Sequence, residues 1–250
     1  MKTVDFLSYD NFMQLTDAEK DQYVSTKCAE LKTGIKEKEY IIFRTNPTPP
    51  TPVATYLTFT AQQANSSVGF KVIGSVPSVS LQYSTDNGST WNDYTFGNAI
   101  SLPNIGDSVK FKGDNESFSP GGRDSINCFM EGLVAASGDI TTLLDSEGSL
   151  STLPENCFSQ LFDGCTSLTQ APALPATTLA NHCYESMFVN CTSLAFIEAM
   201  FTTEPGSNYT NQWVYGVAQN GTFVKSAQAS WDVSGINGIP TGWTVETASA

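Results

Sequence analysis

Short runs of β-branched or aromatic residues alternating with polar ones recur through one stretch of the chain: YLTFT (56–60), GFKVI (69–73), SLQYS (80–84), WNDYT (91–95) and SVKFK (108–112). A period of two sends alternate side chains to one buried face, and turn residues separate the runs, so each is predicted to be a strand. Between two of them stand Asp86, Asn87 and Gly88, residue types that tolerate positive φ in a tight hairpin. Strands at this spacing predict a small β-sandwich over residues 55–137.

Upstream the period changes. Thr16 followed by Glu19 forms a capping box, and Tyr23, Val24, Cys28 and Leu31 share one side of a helix that stops at Gly34. A shorter apolar stretch precedes it, and EYIIFR (39–44) reads as a strand. A segment this small lacks the volume to bury its own apolar groups, so residues 1–45 are expected to form a helical anchor that docks on a partner. The docking candidates are Phe6, Leu7, Phe12, Met13, Tyr23, Val24 and Leu31. NPTPPTP (46–52) then fixes φ at successive prolines, and residues 46–54 are read as a semi-rigid linker.

From residue 153 the chain repeats itself. LPENCFSQLFDGCTSLTQAPALPATT (153–178) aligns with LANHCYESMFVNCTSLAFIEAMFTTE (179–204) at an offset of 26, the difference between Cys183 and Cys157. Phe158/Tyr184, Leu161/Met187 and Leu174/Met200 match in character. A fixed period of this length is the signature of a solenoid whose units bury their apolar sides by stacking. Phe158, Leu161, Phe162 and Cys165 fall at i, i+3, i+4 and i+7, which predicts about two turns of helix closed by Gly164 or Asn190 in the left-handed conformation. Each repeat is therefore expected to be a short helix plus a strand. Repeats occupy 138–204, and 205–250 forms a closing β cap.

The charge balance narrows the partners. Twelve Lys and Arg against 25 Asp and Glu give a net charge of -13, which disfavours nucleic acid and anionic membrane surfaces. No window approaches the apolar length a bilayer demands, and Asp5 and Asp10 interrupt any export signal, so synthesis in a cytoplasm without membrane insertion is expected. In that compartment Cys28, Cys128, Cys157, Cys165, Cys183 and Cys191 are expected to be buried thiols. The spacing of 157/165 and 183/191 copies the repeat and is too wide for a structural zinc site, so no metal is assigned. The loop around Asp86 and Asn87 lacks the alternating oxygen ligands of a calcium loop. His182 is the one histidine, and Asn156 holds the equivalent place in the first repeat, so no catalytic residue and no cofactor are assigned. Aromatic faces are the usual platform for sugars, which makes Tyr209, Trp213, Tyr215 and Trp231 the ligand-contact candidates, although the tryptophans also suit a solenoid cap.

The segment CFSQLFDGCTSLTQAPALPATTLANHCYESMFVNCTSL resembles the BspA-like leucine-rich repeats of gut Bacteroides surface proteins and of the crAss-like phages that infect those bacteria. YLTFTA, LQYSTDNGSTWNDY and GDSVKFKGDN resemble the sandwich that often precedes such repeats. NQWVYGVAQNGTFVKSAQASWDVSGINGIPTGWTV resembles the module that often closes them. The resemblance covers roughly residues 55–246. With the helical anchor read above, it implies a mixed, mainly β fold: N-terminal helical anchor, β-sandwich, short α/β leucine-rich-repeat solenoid and β cap. It also implies a non-enzymatic virion protein, a phage head (capsid) fibre held to a capsid or other virion protein by its N-terminus. Such a fibre is expected to be a homo-oligomer, with an outward role in adhesion to bacterial surface glycan or mucin. The alternatives are a tail-fibre receptor-binding protein and a bacterial cell-surface adhesin.

Overall fold

The computed structural model describes residues 55–248, except 77, 120–123 and 149, together with Thr16, Gln22 and Tyr23. The chain divides into two units, Met1–Thr51 and Pro52–Ala250. Apart from Thr16, Gln22 and Tyr23, the predicted anchor helix lies outside the described residues, as do the 39–44 strand and the linker. So do Phe6, Leu7, Phe12, Met13, Val24 and Leu31; of the docking candidates Tyr23 alone is described, in helical backbone.

The second unit is mainly β. Its first strands are β1 (Leu57–Ala61), β2 (Ser66–Ile73), β3 (Gln82–Ser84), β4 (Asn92–Asp93), β5 (Ile100–Leu102), β6 (Ser108–Lys112), β7 (Ser125–Glu131) and β8 (Val134–Ser137). They are followed by β9 (Leu168–Gln170), β10 (Phe196–Ala199), β11 (Thr222–Lys225) and β12 (Thr244–Thr247). One sheet runs β4-β3-β6-β1-β8-β9 and a second runs β5-β2-β7. In β1 alternation does what it predicts, with Leu57, Phe59 and Ala61 buried and Thr58 and Thr60 between them not; in β2 it fails, since Gly69 and Phe70 are buried and Val72 and Ile73 are both exposed. Phe59 meets Phe70 of the other sheet at 6.1 Å between ring centres, and Phe111 meets Phe70 edge-on at 5.0 Å. At the hairpin, Asn87 and Gly88 both take positive φ, 61° and 93°. Thr90 donates to the Asp86 carboxylate through both its hydroxyl and its N–H, and Ser84 Oγ adds a third bond. These donors hold the Asp86 carboxyl down at about 2.

The repeats depart from expectation in one respect. Among the described residues helical backbone is confined to Gln22–Tyr23 and a 3-10 turn at Ile140–Leu143, so the predicted α-helix within each repeat is absent. Its place is taken by a run of overlapping turns. The amides of Ser159, Leu161, Asp163 and Cys165 each bond to the carbonyl three residues back. Those of Asn156, Phe158, Gln160, Phe162 and Gly164 instead donate outward, to carbonyls of the next repeat 25 residues on. Half the amides are thus spent between units, which an α-helix cannot allow. Every fourth residue turns left-handed: Asn156, Gln160 and Gly164, then His182, Ser186 and Asn190. A chain of four-residue turns spaces its buried side chains 3, 1 and 3 apart, the same spacing that two helical turns would give.

The 26-residue offset continues once more. Gln212 and Gly216 repeat the left-handed positions, Phe188 N–H donates to Trp213 O, and β10 pairs in parallel with β11 from Phe196 against Thr222. Three turn-and-strand coils therefore stack, and β12 follows on β11. Between the first and second coils the strand-side offset slips to 25 at Leu174, which pairs with Ala199 and not with Met200.

Both sheets run on into the first coil. β8 pairs in parallel with β9, while Cys128 N–H of β7 donates to Leu161 O and Asn127 Nδ2 to Gln160 O. One hydrophobic core thus extends from Leu57 to Trp243 without a break at residue 137.

Gly164 separates backbone strain from crowding. Its φ is +75°, yet a Cβ there would meet nothing within 4 Å, and Asn190 holds the same place one coil on. Gly164→Asn is expected to cost under about 0.5 kcal/mol and Gly164→Val about 1–2 kcal/mol, read from urea midpoints.

Candidate functional site

Inside the turns, equivalent residues form columns. Phe158 stacks on Tyr184 at 6.2 Å and 13°, and Phe162 on Phe188 at 5.5 Å and 6°. Cys128, Cys157, Cys165, Cys183 and Cys191 are free and buried. Cys191 Sγ donates to Phe162 O at 3.0 Å, and Cys165 Sγ to Cys128 O at 3.3 Å. Burial raises the thiols of Cys128, Cys157 and Cys191 well above their ordinary range and pushes Cys183 from 9.0 up to about 12. Folded Cys183 keeps its proton to about pH 12 whereas the unfolded thiol loses it near 9.0. The associated stability is complete below pH 9 and lost as pH rises toward 12. The melting temperature is therefore expected to fall steadily above pH 9, and to fall less in Cys183→Ala.

The Tyr184 hydroxyl is buried with no hydrogen-bond partner among the described residues, and the equivalent residue of the first coil is phenylalanine. Tyr184→Phe is expected to raise stability by about 1 kcal/mol, because it deletes an unsatisfied buried group without opening a void.

The aromatic candidates separate by burial. Trp213 is fully buried and donates Nε1–H to Gly238 O; Trp231 is buried and donates to Phe201 O. Tyr209 is partly buried against the core, and Tyr215 is 52% exposed. The outer side of the coils carries a polar ladder: Asn181 Nδ2 donates to Glu155, and Asn211 Nδ2 to Glu185, each pair one repeat apart. His182 Nδ1 lies 3.0 Å from Glu185 at this surface. His182 and Asn156 share a left-handed φ, 55° and 57°, so the position selects residues that tolerate this backbone. Among the described residues no three His, Cys, Asp or Glu side chains gather closely enough to hold a metal ion. No helix among them is long and apolar enough to cross a membrane.

A feature not anticipated from the sequence lies where β3, β4 and β6 end. A cavity of about 520 Å³ is lined there by Gln82, Asp93, Tyr94, Phe96, Lys112 and Asp114 among others. A second, of about 320 Å³, shares Ser80 and Asp114 with it. The register places Asp93 opposite Gln82 and Gln82 opposite Lys112, so three polar side chains stand in one row across three strands. Gln82 Nε2 donates to Asp93 at 3.1 Å, and the Lys112 ammonium lies 4.4 Å from the Trp91 ring centre. Asn115 fastens the wall: its Oδ1 accepts from Ser80 N–H while its Nδ2 donates to Ser80 O and Leu143 O. Alternation in SLQYS and WNDYT held the signal for Gln82 and Asp93, but Asp114 joins them only through the fold.

Comparisons with protein-family models, curated proteins and solved structures found no significant match to this chain.

Proposed function

We infer that the chain is a structural virion protein, a phage head fibre anchored by its N-terminal segment and carrying an adhesive repeat module outward. In this reading the two facing sheets are the sandwich that precedes BspA-like repeats, and the stacked coils are a short leucine-rich-repeat solenoid with turns in place of helices. The observation that carries it is the 26-residue period, present in the resemblance-bearing motif and kept by the backbone through a third coil. The division of the chain at Thr51/Pro52, within the proline-rich stretch, supports a separate attachment segment. The capsid or another virion protein is the partner of that segment, and the fibre is a homo-oligomer. Fibres on symmetric particles are built from closed, repeated contacts. Weak sites repeated on many copies give useful adhesion.

The test is to locate an epitope-tagged copy on particles by electron microscopy. Label on the head is the expected result. Label on the tail favours the receptor-binding alternative, and unlabelled particles overturn both.

A further inference from the structure

We propose that the groove at the ends of β3, β4 and β6 binds a neutral oligosaccharide, held by the row Asp93, Gln82 and Lys112 and by the ring of Phe96. The inference rests on the adhesive half of the proposed function. Its volume, about 520 Å³, lies in the range of small-ligand sites.

The lining decides the ligand class. Asp93 and Asp114 offer acceptors, Lys112 offers a donor, and Gln82 offers both. A hydroxyl both donates and accepts, so one polyhydroxylated ligand can meet every member of this row, with spacing fixed by the strand ladder at about 4.8 Å per step. Phe96 is half-buried and packs edge-on against Tyr94 with ring centres 5.5 Å apart, which fixes its orientation. The Tyr94 hydroxyl is tied in turn to Phe70 N–H at 2.7 Å. Half-exposed rings of fixed orientation suit the apolar face of a pyranose.

Two other ligands fit less well. Residues beyond 45 carry five Lys and Arg against seventeen Asp and Glu, a field that repels sulfated or sialylated chains. A peptide adding itself as a strand would have to pair with β4, the edge strand, which is two residues long. The groove is also built in advance: besides the Asn115 bonds, Gly113 N–H donates to Thr142 O, and Asp114 accepts from Ser146 N–H. Little ordering is left for the ligand to impose.

The test titrates the full chain, labelled with nitrogen-15, with mannohexaose, galactohexaose, a heparin hexasaccharide and a lysine-rich hexapeptide. At least one neutral hexasaccharide is expected to bind with Kd of about 1 mM or tighter and to shift the amides of Gln82, Asp93, Phe96 and Gly113. Gln82→Ala and Phe96→Ala are each expected to weaken it about tenfold; Gln82→Ala leaves the melting temperature nearly unchanged, while Phe96→Ala lowers it through lost packing on Tyr94. Shifts confined elsewhere, tighter binding of heparin or the peptide, or no shift with either neutral sugar at about 10 mM overturn the proposal. Should a variant unfold, the shift map of the unaltered chain still decides. Binding by the isolated chain is read independently of where the chain sits on a particle, so either reading can fail alone.

Discussion

Trp213→Ala is expected to lower stability by about 3–5 kcal/mol, seen as a reduced urea midpoint with an unchanged slope. Trp213 is fully buried where the third coil meets both layers: its ring lies 6.2 Å from Tyr184 and 6.0 Å from Phe188 on the turn side, and 5.8 Å from Phe201 and 6.1 Å from Phe223 on the strand side. Truncation leaves a void that these neighbours cannot enter, because their backbones are fixed by bonds from coil to coil. It also strips Gly238 O of the indole N–H that it accepts at 2.8 Å. Trp213→Phe keeps most of the ring contact and is expected to lose about half as much. A loss under about 1 kcal/mol for the alanine variant would contradict the packing of the third coil.

The second large effect is expected at Cys183. Alanine removes one small apolar group from a fully buried site and is expected to cost about 1–2 kcal/mol. Aspartate brings a carboxylate beside Phe158, Tyr184 and Cys157, where no described cation stands to receive it, and is expected to cost upward of 3 kcal/mol. The pair should be read together by denaturant melts at pH 7 and pH 5. The aspartate variant recovers part of its loss at the lower pH, where its side chain can be buried neutral; equal loss at both would show that shape and not charge is at fault.

What the sequence disclosed depended on how local each determinant was. Leu57, Phe59, Val109 and Phe111 alternate with polar neighbours, and the strands at β1 and β6 follow directly from them. Asn87 and Gly88 announced their backbone because few residues accept positive φ. β5, β7 and β8 were not anticipated: SINCFME buries four residues in succession, so no alternation marks it, and ISL and VAAS are short. In the repeats the spacing of Phe158, Leu161, Phe162 and Cys165 identified the buried side chains correctly and the backbone wrongly, since two conformations produce the same pattern. Gln160 and Ser186 could have separated them only if left-handed glutamine and serine were recognisable, and neither side chain advertises that preference. The third coil was hidden in what reads as a cap. There Thr210, Trp213 and Val214 replace the Phe, Leu and Phe of the first coil, while Gly216 keeps the type of Gly164. The groove was least legible, because its lining comes from three separate segments, and the bonds that fasten Ser80 to Asn115 span 35 residues.

The exchange of alternate amides between coils makes length a stepwise property of this chain. The first coil offers the second a row of donors and two ring positions that the second matches, so a duplicated 26-residue unit would slot between these two and advance the stack by one strand spacing, about 4.8 Å. Neither the two-sheet end nor the closing strands would need a changed residue. Reach can thus be adjusted over generations by whole-unit gain or loss while the surfaces at both ends stay as they are.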